Sequence, residues 1–224
     1  MQTSKELKDW YLGERIKRTI SALEKNGFGA RYYPAAKDAC EEILKLIPAG
    51  SKVGVGGSLT LEEIGLIERL DRREDITFLN PTKVLETETD LMTAMAKMLP
   101  IMREIYSCDL FLSGTNAVTE KGQLFNIDGN GNRVGAMFFG PKQVIVVAGY
   151  NKIVEDLDEA VRRVRHYAAP TDAKRIPVPT PCAETGVCVD CNSPARICNI
   201  FVTLHKRPMA TQITVFLVGE ELGL

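Results

Sequence analysis

Apolar positions along the chain recur with two different periods, and the switches between them mark out the elements. From Lys5 to Lys25 the residues Leu7, Trp10, Tyr11, Ile16, Ile20 and Leu23 return at helical spacing, which predicts a helix. "GARYYP" then reads as a short strand, and Ala35 to Ile47 as a second helix stopped by Pro48 and Gly50. "SKVGVGGSLTLEEIGLI" predicts strand, glycine turn and helix in succession. Ile76 to Leu79 reads as another strand, and Glu86 to Met98 as a helix with a core stripe of Met92, Met95 and Leu99.

In the second half "CDLFLSG" has the pattern of a buried strand. "QLFNIDGNGNRVGAMFFG" sets two strand-like runs around Asp-Gly and Asn-Gly, which predicts a hairpin. "KQVIVVAG" is apolar throughout, as in an interior strand of a parallel or mixed sheet. Ile153 to Tyr167 predicts an amphipathic helix, with Val154, Leu157, Val161 and Val164 aligned. Its acidic start (Glu155, Asp156, Asp158, Glu159) and basic end (Arg162, Arg163, Arg165, His166) suit a helix dipole, so the charges read as a solvated face.

Beyond that helix the periodicity stops. Between Pro170 and Pro194 lie five of the eleven prolines and three of the six cysteines, and an irregular stretch of such length is usually functional or disordered. "ICNIFVTLH" and "ITVFLVGEELGL" then return to strand-like character. The expected organisation is one α/β domain over 1–224, with a helical N-terminal segment at 1–50 and a cysteine-rich excursion at about 170–199. Strands alternating with helices predict an open three-layer sheet, parallel or mixed, with helices on both faces. Ligands of such sheets gather at the carboxyl ends of the strands, so the loops after Val55, Leu112 and Ala148 share one rim.

Composition narrows the function classes. A net charge of −1, with 25% charged residues, gives no electrostatic footprint for nucleic acid. No apolar run approaches the ~18 residues that a membrane span needs, and "MQTSKELKDWYLGERIKRTI" lacks the apolar core of a signal peptide. A cytoplasmic location with no membrane partner is expected. Clustered cysteines in that reducing compartment point to metal or thiol chemistry rather than disulfides.

"VGVGGSLTLEE" carries Gly54, Gly56 and Gly57, then Ser58 and Thr60, after a strand. Such glycines let backbone amides approach an anion, while Thr60 and Glu63 fit a capping box. The pattern is neither a Walker loop nor a complete dinucleotide fingerprint, and by itself it fits a ligand loop or a capped tight turn. Together with "SGTNAVTEKGQLFNIDGNGNR", "GPKQVIVVAGYNKIV", the cysteine loop and "VFLVGEELG", however, it resembles the LUD (lactate-utilisation) domain family over about Val53 to Gly223. The resemblance implies the fold of the superfamily of glucosamine-phosphate isomerase, ribose-phosphate isomerase and CoA transferases. That superfamily's phosphate or CoA loop falls here on Gly56, Gly57 and Ser58. It also implies a link to the oxidation of lactate to pyruvate alongside an iron–sulfur oxidoreductase partner.

Candidate chemistry follows from both readings. Ribose-phosphate isomerases carry an Asp-Gly-Ala-Asp-Glu run where this chain has Ser113, Gly114, Thr115, Asn116 and Ala117, so the carboxylates of that mechanism are missing. A CoA transferase needs a nucleophilic glutamate, for which Glu120 is the candidate, and Asn116 could orient a substrate oxygen. The alternative for Glu120 is a solvated loop carboxylate, and for Asp128 and Asn130 it is turn chemistry. Lys152 is a candidate anion contact. The ligand set expected for a small anionic or phosphorylated molecule is Gly56, Gly57, Ser58, Thr60, Gly114, Asp128, Asn130 and Lys152, with Glu120 and Asn116 catalytic. His166 and His205 stand apart from any nucleophile motif.

Cys182, Cys188, Cys191 and Cys198 follow the spacing C-x5-C-x2-C-x6-C. Four thiolates can close a zinc site or hold an iron–sulfur cluster, and Cys188 with Cys191 could cycle as a dithiol. The family's redox link favours the cluster over zinc. Cys40 and Cys108 read as core residues. Three roles stay open: a ligand-binding protein of lactate-linked redox metabolism, a CoA- or sugar-phosphate-dependent enzyme, and a non-catalytic assembly or regulatory subunit. A homodimer is compatible with each.

Overall fold

A computed structural model describes residues 2–176 and 178–224. Met1 and Pro177, inside the ranges expected for the N-terminal segment and the cysteine-rich excursion, lie outside the described residues. Helix α1 (Ser4–Lys25) opens on a reciprocal cap between Thr3 and Glu6, and β1 (Gly29–Tyr33) and α2 (Ala36–Lys45) follow. Then come β2 (Lys52–Val55), α3 (Leu59–Glu63), α4 (Leu66–Asp71), β3 (Thr77–Leu79), α5 (Leu91–Ile105) and β4 (Leu110–Gly114). The chain goes on through β5 (Ala117–Thr119), β6 (Leu124–Asp128), α6 (Asn132–Phe138), β7 (Gln143–Gly149) and β8 (Ile153–Val154). It ends with α7 (Leu157–Arg163), α8 (Ala169–Arg175), α9 (Pro181–Thr185), β9 (Ile200–Leu204) and β10 (Gln212–Val218).

Six strands pair in parallel in the order β1-β10-β7-β4-β2-β3. Along β7 the side chains alternate between two cores, as the period of two requires. Val144, Val146 and Ala148 pack with residues of α1, α5 and α6. Ile145 and Val147 pack on the opposite face with Ile43 of α2, Leu61 of α3 and Leu70 of α4. The result is the open three-layer α/β class anticipated above. A second sheet, β8-β5-β6-β9, mixes one parallel with two antiparallel pairings and rests on α7. Cys40 and Cys108 are buried in the two main cores. Among the described residues no helix is long and apolar enough to cross a membrane.

Three expectations are corrected. The hairpin expected over "QLFNIDGNGNRVGAMFFG" is a strand, β6, followed by α6. The Asp128 carboxylate accepts from the amides of Asn130, Gly131 and Val134, which turns the chain into a helix, and Gly131 supplies the left-handed φ of 85°. The helix expected from Ile153 begins only at Leu157. Asp156 caps it through the Glu159 amide, and Ile153 and Val154 pair with β5 instead. The helix expected over Glu86 to Met98 is displaced to Leu91–Ile105, capped by Asp90 and running through Pro100. Past Arg163 a wide π-type turn at Val164–Ala168 joins α7 to α8, so this helix also outlasts its expected end at Tyr167.

Candidate functional site

The sheet order itself makes a crevice. From β2 the chain runs through α3 and α4 outward to β3, then returns to place β4 on the other side of β2. The loops leaving β2 and β4 therefore diverge at their carboxyl ends, where open α/β sheets collect ligands. A cavity of about 250 Å³ occupies this point. Gly57, Ser58 and Thr60 line it from the first loop, and Gly114, Thr115 and Asn116 from the second. Asp128, Asn130 and Arg133 come from the β6–α6 junction, and Lys152 from the turn after β7.

Close approach within the crevice depends on two glycines, Gly114 where the two loops meet and Gly56 beside Arg133. A Cβ on Gly114 would stand 2.7 Å from Ser58 Oγ, and one on Gly56 would stand 2.8 Å from Arg133 Cγ. Ser58, rather than Thr60 with Glu63, caps α3 by accepting from the Leu61 amide. That leaves the Thr60 hydroxyl to accept from Lys152 Nζ at 2.7 Å. Glu63 is occupied as the acceptor of the Gly223 amide.

Arg133 is the strut of the site. Nη1 donates to Asn126 Oδ1 at 2.8 Å, and Nη2 donates to Asn116 Oδ1 at 3.1 Å and to the Ile127 carbonyl at 2.5 Å. Asn116 is fixed from three further directions. Its amide donates to Asn126 Oδ1, its Oδ1 accepts from the Ile127 amide, and its carbonyl accepts from Arg163 Nη1 at 2.7 Å. The Asn116 Nδ2 group has no protein partner among the described residues.

Lys152 is only 4% exposed. Burial pushes its ammonium down to about 7, and the charges of Arg163 and Arg133 push the same way. Burial also lowers the Arg133 guanidinium, against the pull of Asp128. The carboxylates that line the cavity are already engaged. Asp128 holds three backbone amides, and Asp172 pairs with Arg175.

The structure thus gathers Gly57, Ser58, Thr60, Gly114, Asn116, Asp128, Asn130 and Lys152 around one cavity. Gly56 does not line it; its role is to make room for Arg133. Glu120 lies elsewhere. It pairs with Arg15 Nε at 2.6 Å and Arg18 Nη2 at 3.1 Å, fastening α1 to the turn after β5. Burial opposes its ionisation, yet the two arginines hold its carboxyl below the usual range, as a structural ion pair would.

The cysteine loop borders the crevice without entering it. Ile197 lines the cavity, and Asn199 Nδ2 donates to the Gly129 carbonyl. Within the loop Arg196 donates to Asp190 Oδ1 and to the carbonyls of Cys191 and Cys198, which pins the Cys-x-x-Cys turn with Asp190 at φ 49°. Burial, and then the nearby Cys188 and Cys191, hold the Cys198 thiol above its ordinary range against the attraction of Arg196. Cys182 Sγ instead shares a hydrogen bond with Thr180 Oγ1 at 3.4 Å. The donors suit a thiophilic metal in kind, and three of them are neighbours. Among the described residues, though, no three His, Cys, Asp or Glu side chains converge on a metal-sized point.

Two arginines of the site escaped the sequence reading. Arg163 was assigned to the solvated face, and Arg133 to a strand. One signal was present: a cation in the first turn of a helix runs against the dipole, so an arginine there needs partners elsewhere.

A family model described as the LUD domain matches residues 16–218. The crystal structure of a DUF162 family protein from Deinococcus radiodurans aligns with a TM-score of 0.52 and 16% identity, covering 93% of this chain and 98% of that one. This likeness bears on the fold alone. The structure of eIF2B beta from Chaetomium thermophilum aligns at a TM-score of 0.37 and 19% identity, over 57% of this chain and 42% of that one, too weakly to carry an argument. No curated protein matches.

Proposed function

The chain belongs to the LUD domain family, and on that premise we propose that the crevice between β2 and β4 binds a small organic acid in lactate-linked redox metabolism. The observation that carries this reading is a buried lysine beside two guanidinium groups at the cavity, where the carboxylates are already engaged. An anion entering there meets the guanidinium groups of Arg133 and Arg175, each only partly offset by a carboxylate, Asp128 at 3.8 Å and Asp172 at 2.8 Å, in a site of low dielectric. The Asn116 Nδ2 group offers a neutral donor. At about 250 Å³ the cavity falls just short of the ~300 Å³ at which sites for drug-sized ligands begin, which favours an acid of a few carbons over a whole CoA. The transferase alternative loses its nucleophile, because Glu120 is tied to Arg15 and Arg18.

The cysteine loop is the second half of the proposal. Cys182, Cys188, Cys191 and Cys198 would hold an iron–sulfur cluster, or zinc as the structural alternative, once Cys182 turns from Thr180 and the other three thiols draw together. A cluster supplies one-electron transfer to an iron–sulfur partner, whereas zinc would only order the loop. Such thiols persist in the cytoplasm, where the protein would act.

Thermal melts test the ligand half. Lactate or pyruvate at about 100 times its dissociation constant should stabilise the fold by about 2.7 kcal/mol, a rise of roughly 5–10 °C for a domain of this size. The rise should vanish in Lys152→Met. A response to CoA alone, or to no small acid, overturns the reading. Iron and sulfide in anaerobically purified protein would support the cluster, one zinc per chain would replace it, and the absence of any metal would remove both.

A further inference from the structure

We infer that Lys152 is a nucleophilic amine that forms an imine with a small 2-oxo acid seated in the crevice. This rests on the reading of the crevice as an organic-acid site and narrows it to acids with a carbonyl next to the carboxylate.

A lysine that serves only to attract anions is best left charged and reachable. Lys142 is of that kind, with its side chain 82% exposed beside Asp109. Lys152 is the opposite case. It lies at the cavity, buried, and among the described residues its one hydrogen-bond partner is the Thr60 hydroxyl. Arg133 and Arg163 stand near enough for their charges to oppose a third one. Desolvation beside other cations gives a buried amine a substantial neutral fraction near pH 7, and a neutral amine has the lone pair that attacks a carbonyl. By contrast, a 2-hydroxy acid presents no carbon that this amine could attack.

The neighbours match the rest of such a substrate. Arg133 and Arg175 line the same cavity, each beside an aspartate, and among the described residues Asn116 Nδ2 has no protein partner, so a carboxylate has two guanidinium groups and a donor to meet. Thr60 Oγ1, 2.7 Å from Nζ, is placed to pass protons. In the step itself Nζ bonds to the carbonyl carbon and gives up its two protons to the departing oxygen. That oxygen leaves as water, and a C=N bond remains. No oxidant or reductant takes part.

Reductive trapping tests this. The full chain is incubated at pH 7 with pyruvate and sodium cyanoborohydride, then digested and mapped by mass spectrometry. One stable adduct per chain on Lys152 is expected. None should form with lactate, and none in Lys152→Met or Lys152→Arg, each confirmed as folded by circular dichroism. If pyruvate raises the melting temperature but Lys152 remains unmodified, the imine is overturned and the binding reading stands. Equal labelling of surface lysines in wild type and variants overturns it too. If pyruvate neither binds nor labels, the imine is overturned, and if lactate also fails to raise the melting temperature both readings fall together.

Discussion

Replacing Lys152 by methionine should stabilise the folded chain at neutral pH by about 3 kcal/mol, even though it destroys the candidate site. The buried amine has a pKa of about 7, against ~10.4 in an unfolded chain. Between these values the unfolded chain holds the extra proton, so the contribution of Lys152 to stability rises with pH across that window. Below pH 7 folding must accommodate a buried ammonium, and the full penalty applies. Methionine fills similar space without a proton, at the loss of one hydrogen bond to Thr60, worth about 1 kcal/mol. Its advantage should therefore be greatest at or below pH 7 and fade as the pH approaches 10. Urea denaturation of both proteins across this range measures it. A difference that stays constant with pH would show that the amine is charged in the folded state.

Replacing Arg133 by methionine should act in the opposite direction, destabilising the fold by roughly 3–5 kcal/mol. Its guanidinium satisfies Asn126 Oδ1, Asn116 Oδ1 and the Ile127 carbonyl at once, and each loses a charged donor when it goes. Lysine should recover less than half of the loss, since one ammonium cannot reproduce a planar fork. Chemical denaturation gives the stability, and the response to organic acids should vanish in both variants. The two substitutions each replace a buried basic side chain with methionine yet should shift stability in opposite directions. A general effect of net charge could not do that.

Much of the frame was legible in the chain. "KQVIVVAG" and "CDLFLSG" could only be interior strands, and they stand side by side as β7 and β4. The three rim loops followed from parallel pairing alone. The misreadings have local causes. "DGNGN" is hairpin chemistry by composition, but one carboxylate taking three amides makes it a helix start. Glu120 stood near a glycine in a family-like block, and nothing nearby in sequence announced Arg15 and Arg18, more than a hundred residues away. Lys152 was legible as a candidate anion contact, but not as a buried one. Its burial is a tertiary property, created by Thr60 and Gly223 from distant parts of the chain.

The wide turn at Val164–Ala168 can also be understood as a matter of phase. A π-type turn takes up one residue more than an α-helical turn, so every later position of the helix is offset by one place. Each place is about 100° of rotation around the axis. Ala168, Asp172 and Arg175 meet the crevice in the shifted phase, whereas Val161 and Val164 pack into the small core in the original one. One helix can thus serve two differently oriented surfaces, and a chain shorter by a single residue in this turn would close it to an ordinary α-helical turn with Asp172 and Arg175 still facing the crevice.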